Sequence, residues 1–291
     1  MAGTPTKAEL RALPKKQRRV VAREVARELK ATEERRRRRS TLIRRVVAAV
    51  AAVGVLVVAV LGAQAWVAGR NRGPVNMISD GVLIGGDGTQ TYASSTPALA
   101  QGDQPEPSID NRAFGVLDAV LYVDYTDPEA ATLWATAAES LTGPVTGGQA
   151  TLELHPIAPD GSASAVAAAA ALGCVAELAP DRVLAAHTAL LGGTDWASAS
   201  LVEALAGVGI DDPGVAGCVR SGRFSGWAEE ATARAGSSVP FDVGTVTATT
   251  LVLAGEAYQG DADDATAFTS ALSQAWGAVA TASQALAGTT D

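Results

Sequence analysis

Residues 116–130 read VLDAVLYVDYTDPEA, from Val116 to Ala130, and they decide how the rest of the chain is parsed. Val, Leu and Tyr crowd into Val116 to Tyr125 with turn-forming residues at either end, which predicts a β-strand. Directly after it, Asp127-Pro128-Glu129 spells a helix start. An aspartate can cap exposed amides, a proline suits the first helical position, and a glutamate complements the helix dipole. The helix is expected from Pro128 to about Leu141, with Gly143-Pro144 as its stop. Ala150 to Ile157 (ATLELHPI) alternates apolar and polar side chains and supplies a second strand, closing a strand-helix-strand unit.

Downstream, some 70 residues carry helical patterns only: Ala163 to Leu178, Asp181 to Leu191, Trp196 to Ala206, Pro213 to Arg220 and Phe224 to Ala235. Strand character returns at Thr245 to Leu253, turns at Ala254-Gly255-Glu256 and comes back through Tyr258. Asp261 is placed to cap a final helix whose Phe268, Leu272, Ala275, Trp276, Val279 and Leu286 share one face. Upstream, Gly81 to Ile84 can form a short strand, and residues 87–112, rich in Gly, Ser, Thr, Pro, Gln and Asp, mark a long loop. The expected architecture is an α/β domain over 113–291 with a helical insertion at about 160–238, preceded by a linker at 69–112.

The N-terminal quarter differs in kind. Residues 1–45 hold 16 of the 23 Lys and Arg and 5 of the 31 Asp and Glu, about +11; the remainder carries 7 cations against 26 carboxylates, about −19. Between them, Val46 to Ala68 (VVAAVAAVGVLVVAVLGAQAWVA) is a run of 23 residues without a charge. As a helix it would span about 34 Å, enough for a hydrocarbon core of about 30 Å. The arginines before it, Arg35 to Arg39 with Arg44 and Arg45, place the N-terminus in the cytoplasm and the acidic domain outside. Ala63-Gln64-Ala65 fits a signal-peptidase site, the alternative reading, but the 45-residue basic lead and the long apolar run favour a retained anchor. The basic segment can form a helix on the inner leaflet, or serve only to fix orientation. Nucleic acid is not expected as a partner, because no aromatic residue is interleaved there for stacking.

The order of elements, together with four short matches, resembles the DsbA-like branch of the thioredoxin fold over residues 75–288. The strand runs into Asp124-Tyr125-Thr126-Asp127-Pro128-Glu129-Ala130, where family members write Asp-Phe/Tyr-x-Cys-Pro-x-Cys. Gly173-Cys174-Val175-Ala176-Glu177, followed by Val183 to Leu191 with His187, looks like the first helices of the family's inserted subdomain. Cys218-Val219-Arg220-Ser221-Gly222-Arg223-Phe224 looks like a cysteine-containing stretch of the actinobacterial members, and Thr247 to Tyr258 (TATTLVLAGEAY) like their segment around the cis-proline. The resemblance implies a thioredoxin-like fold with an inserted helical subdomain, which here follows the one transmembrane helix expected from the apolar run. It also implies disulfide oxidoreductase ancestry.

The departures bear on chemistry. Asp127, Pro128, Glu129 and Ala130 occupy the positions that the resemblance gives to the redox motif, and Asp127 stands where the attacking cysteine would be. Disulfide exchange begins with a thiolate attacking sulfur, and a carboxylate cannot form a mixed disulfide. The residue matching the cis-proline is Thr249. A cis bond before a non-proline residue costs about 3 to 4 kcal/mol, so a trans bond is expected there. Cys174 and Cys218 are 44 positions apart on predicted helices. An oxidising exterior favours a structural disulfide between them, with two buried thiols as the alternative.

Other signals carry less. His155 and His187 are the only histidines and neither has a second ligand at zinc spacing, so no metal and no cofactor is expected. No G-x-S-x-G elbow supports a hydrolase. Gly85-Gly86-Asp87-Gly88 leads into a loop rather than a helix, against phosphate binding. Asp261, Asp263 and Asp264 lack an EF-hand register. The leading expectation is a redox-inactive binding or scaffold module tethered outside the membrane, serving an extracytoplasmic protein or peptide. The alternatives are an oxidoreductase using Cys174 and Cys218, and an envelope signalling or assembly component working through its basic cytoplasmic helix.

Overall fold

The structure is a computed structural model that describes residues 72–108, 111–237 and 243–288. The basic segment and the span expected at 46–68 lie outside the described residues. No helix among the described residues is long and apolar enough to cross a membrane.

Six strands form one sheet: β1 (Val82–Gly86), β2 (Thr91–Ala93), β3 (Leu117–Val123), β4 (Ala150–Pro156), β5 (Thr250–Leu253) and β6 (Glu256–Ala257), in the spatial order β2-β1-β4-β3-β5-β6. The central pair β3 and β4 is parallel, running in register from Leu117 opposite Ala150 to Val123 opposite Pro156. Such a pair needs a crossover, and helix α1 (Pro128–Thr146) provides it. The other pairings are antiparallel. Between β4 and β5 come α2 (Ala163–Leu178), α3 (Val183–Leu190), α4 (Ser198–Gly207), α5 (Pro213–Ser221) and α6 (Ser225–Ala235), and α7 (Ala265–Gly288) ends the described chain. The result is a mixed α/β, thioredoxin-like arrangement with a helical insertion.

Strand β3 is the middle of the molecule. Leu117, Ala119, Leu121 and Val123 join the main core with Leu133, Ala137 and Leu141 of α1, while Val120 and Tyr122 face a smaller cluster with Ile157, Ala235, Val246 and Val252. A strand with apolar side chains on both faces has to be covered twice, which accounts for its unbroken apolar run from Ala119 to Val123. Within the insertion α2 is half alanine, and 11 of its 16 residues are buried. Gly173 shows why small residues are needed there: a Cβ would meet Pro74 Cγ at 2.8 Å and the Trp227 ring at 3.2 Å.

The first described residues are sewn into the insertion. Val75 N donates to Glu177 Oε2 at 3.1 Å and Asn76 Nδ2 to the Ala176 carbonyl at 2.9 Å. The Asp80 carboxylate takes Arg234 Nε at 2.6 Å, Arg234 Nη2 at 2.8 Å and Trp227 Nε1 at 3.1 Å. The segment expected to be a linker with one short strand therefore contributes two strands and a partly buried ion pair to the domain. β2 lies inside the stretch expected to be a loop.

Three boundaries differ from expectation. Helix α1 does not stop at Gly143-Pro144 but includes Pro144 and reaches Thr146, burying Val145. Pro144 sits in the last turn, and the helix ends where Gly148 takes a φ of 73°. Strand β5 starts at Thr250, five residues later than Thr245. α7 is capped by Asp264, whose Oδ1 accepts from Thr266 N at 3.0 Å and Ala267 N at 2.9 Å, and not by Asp261. Leu286, placed on the buried face, is 41% exposed.

Candidate functional site

Strand β3 delivers the chain to the start of α1 through a tight turn. Asp124 Oδ1 accepts from Thr126 N at 2.8 Å and Thr126 Oγ1 at 2.7 Å, a side-chain mimic of a backbone turn. Asp127 follows with extended backbone, φ −83° and ψ 117°, and its Oδ1 accepts from Glu129 N at 2.9 Å. Pro128 takes the first helical position, Glu129 is exposed in the first turn, and Ala130 is buried. An N-cap of this kind stabilises by about 1 kcal/mol.

Across the end of the sheet, Thr249 precedes β5. Its Oγ1 accepts from Asp124 N at 3.3 Å, tying this loop to the turn before α1. The peptide bond before Thr249 is trans, as no cis bond occurs among the described residues. Glu129, Leu133, Thr249, Leu251, Tyr258 and Gly260 line an open pocket of about 180 Å³ between helix start and loop. Nothing in the sequence pattern singles out Tyr258 to Gly260 as part of this site. The one local signal is Gly260, where a Cβ would overlap the Tyr258 hydroxyl and meet its ring at 2.6 Å.

Beneath the helix start lies His187, 0% exposed, with Nδ1 2.9 Å from the Tyr125 hydroxyl and its ring edge-on to Trp134 at 4.5 Å. Its Nε2 finds no hydrogen-bond partner among the described residues. Burial holds this imidazole neutral, pushed down to about 3, because nothing compensates a charge there.

Cys174 on α2 and Cys218 on α5 form a disulfide with Cα atoms 5.8 Å apart. The two residues are only 1% and 5% exposed. They lie along a groove of about 320 Å³ whose lining includes Val166, Ala170, Val219 and Gly222 and none of residues 124–130 or Thr249. The structure thus brings Asp127 and Thr249 to the same end of the sheet and keeps both sulfurs out of that site's lining.

The second histidine belongs elsewhere. His155 Nε2 is 3.2 Å from Glu153 Oε1, and Ser79 Oγ also bonds that carboxylate. Burial raises the Glu153 carboxyl, but His155 and the serines Ser79 and Ser108 outweigh it and hold the group below its usual range. No group of three or more metal-ligating side chains occurs among the described residues.

No protein-family model matches the chain, and no curated protein does. Among solved structures, DsbA from Mycobacterium tuberculosis is 19% identical, with 71% of this chain aligned to 99% of that one at a TM-score of 0.48. The reduced disulfide bond oxidoreductase DsbG from the same organism is 19% identical over 70% of this chain and 93% of that one, TM-score 0.49. MdbA, a thiol-disulfide oxidoreductase from Corynebacterium diphtheriae, is 13% identical over the same shares, TM-score 0.49. The fold described above rests on its own strand order and registers.

Proposed function

We propose that the chain is a membrane-anchored, extracytoplasmic thioredoxin-like module that binds a protein or peptide and performs no disulfide exchange. The observation that carries this reading is the start of α1: the amides that would stabilise a thiolate are capped by the Asp127 carboxylate, which accepts from Glu129 N at 2.9 Å. A helix N-terminus favours a negative group, and a carboxylate meets that demand without a sulfur that could be attacked or attack. The pocket between Glu129, Thr249 and Tyr258 is the place for a bound segment. The membrane anchor is carried by the uncharged run Val46 to Ala68 and the arginines before it.

Insulin reduction and dithiol oxidation by the purified full chain test the reading. Both rates are expected at background, and oxidation that disappears on Cys174→Ser would sink it. That outcome defines the second reading, a DsbA-type oxidoreductase working through Cys174 and Cys218. The groove running past their disulfide favours it; their 1% and 5% exposure opposes it.

A further inference from the structure

A larger groove adjoins the pocket at Thr249. About 620 Å³ lies between the β5–β6 hairpin and α7, continuous with that pocket through Tyr258, Gln259 and Gly260, which line both. Its floor is small and apolar, with Leu253, Ala257, Ala271 and Ala275 leaving width for incoming side chains. Strand β6 ends the sheet, so its outer edge has no strand partner among the described residues. An exposed edge beside a groove is the geometry that accepts an extended segment.

The rim has one sign of charge. The residues that line the groove and the adjoining pocket come from 129–133 and 253–278 with Thr249 to Leu251, and none of them is Lys or Arg. Glu256 lines the groove directly, and Glu129 lines the adjoining pocket. Asp261, Asp263 and Asp264 follow immediately after Gly260, and the Tyr258 phenol sits above its ordinary range through burial first and then the fields of these three carboxylates. The arginine at this end, Arg112, is engaged with the Ala254 carbonyl at 2.6 Å and lies 3.9 Å from Asp118.

We propose that this groove docks an extended, lysine- or arginine-bearing segment of a partner protein. The proposal rests on the binding-module reading and names its partner's chemistry: cationic side chains against the rim, small apolar ones on the alanine floor, backbone along β6. An acidic cleft with low-dielectric walls attracts such a segment and discriminates against anionic ones.

The test uses the full chain in a neutral detergent and three fluorescent extended peptides, in which valine alternates with lysine, serine or glutamate. Anisotropy should show the lysine peptide bound, the glutamate peptide unbound, and the lysine affinity falling steeply between about 0.05 M and about 0.5 M salt. The combined Glu129→Gln, Glu256→Gln and Asp261→Asn variant should bind it about tenfold more weakly. Ala278→Trp, at an exposed groove position, should block binding with every carboxylate intact. Equal binding of the serine and lysine peptides without salt dependence would overturn the proposal and leave the binding-module reading standing. Lysine-peptide binding untouched by Ala278→Trp would also overturn it, by placing the attraction elsewhere. Failure of all three peptides would overturn the groove reading together with it.

Discussion

Acid should weaken this domain through His187 before it reaches any carboxylate. The ring is 0% exposed and its folded value lies at about 3, against about 6.5 in an unfolded chain. Between those values the unfolded state binds a proton that the native state refuses, so stability is full above about pH 6.5 and falls as pH drops toward about 3. Each tenfold difference in proton affinity between the two states is worth about 1.4 kcal/mol. The whole loss therefore approaches about 5 kcal/mol, and about 2 kcal/mol of it falls between about pH 7.5 and pH 5. The assay is urea unfolding of the full chain followed by tryptophan fluorescence at those two pH values. His187→Gln keeps a polar group toward the Tyr125 hydroxyl and removes the titration. The variant should start less stable and then lose about 2 kcal/mol less than the parent on acidification. Every other titrating group is common to both chains, so equal losses would refute the argument that burial keeps His187 unprotonated.

Three further outcomes follow from the geometry. Asp127→Ala should cost about 1 kcal/mol in the same unfolding assay, and Asp127→Asn much less, because asparagine still accepts from Glu129 N. The unreduced, denatured chain should titrate no free thiol, and replacing both Cys174 and Cys218 by Ala should lower stability by about 4 kcal/mol, the chain-entropy value for a closed loop with a sequence separation of 44. Asp80→Ala should destabilise by about 3 kcal/mol, since it leaves Arg234 and Trp227 Nε1 without the acceptor they share; a change below about 1 kcal/mol would mean that water replaces the carboxylate.

Much of this arrangement can be read along the chain because its signals are local. The strand at Leu117–Val123, the Asp127-Pro128 helix start and the five insertion helices each carry their own period, and two of those helices a side-chain cap at Ser162 or Asp212, so their ends are legible to within a few residues. Local reading fails where tertiary packing overrides local preference. Pro144 reads as a stop, yet a proline in the final turn sacrifices one bond while Val145 gains a buried place. Thr245 to Thr249 has strand composition, but only Thr250 onward finds a neighbour, opposite Tyr122. At the final helix three carboxylates compete for one cap, and spacing alone does not favour Asp264 over Asp261. The site divides in the same way. Asp127 is visible as a cap in four consecutive residues, whereas the partnership of Thr249 with Asp124 spans 125 positions and exists only through the sheet.

The clamp formed by Val75, Asn76 and Asp80 has a mechanical consequence. Tension entering from the N-terminal side meets the Asp80–Arg234 pair and the bonds to α2 before it can reach β1. These contacts tie the leading strap to the α-helical insertion, so traction is shared between insertion and sheet instead of unzipping an edge strand. A shortened version beginning at residue 113 would discard this buckle along with β1 and β2, leaving β4 an uncovered flank and Trp227 facing a notch where Gly73 now packs.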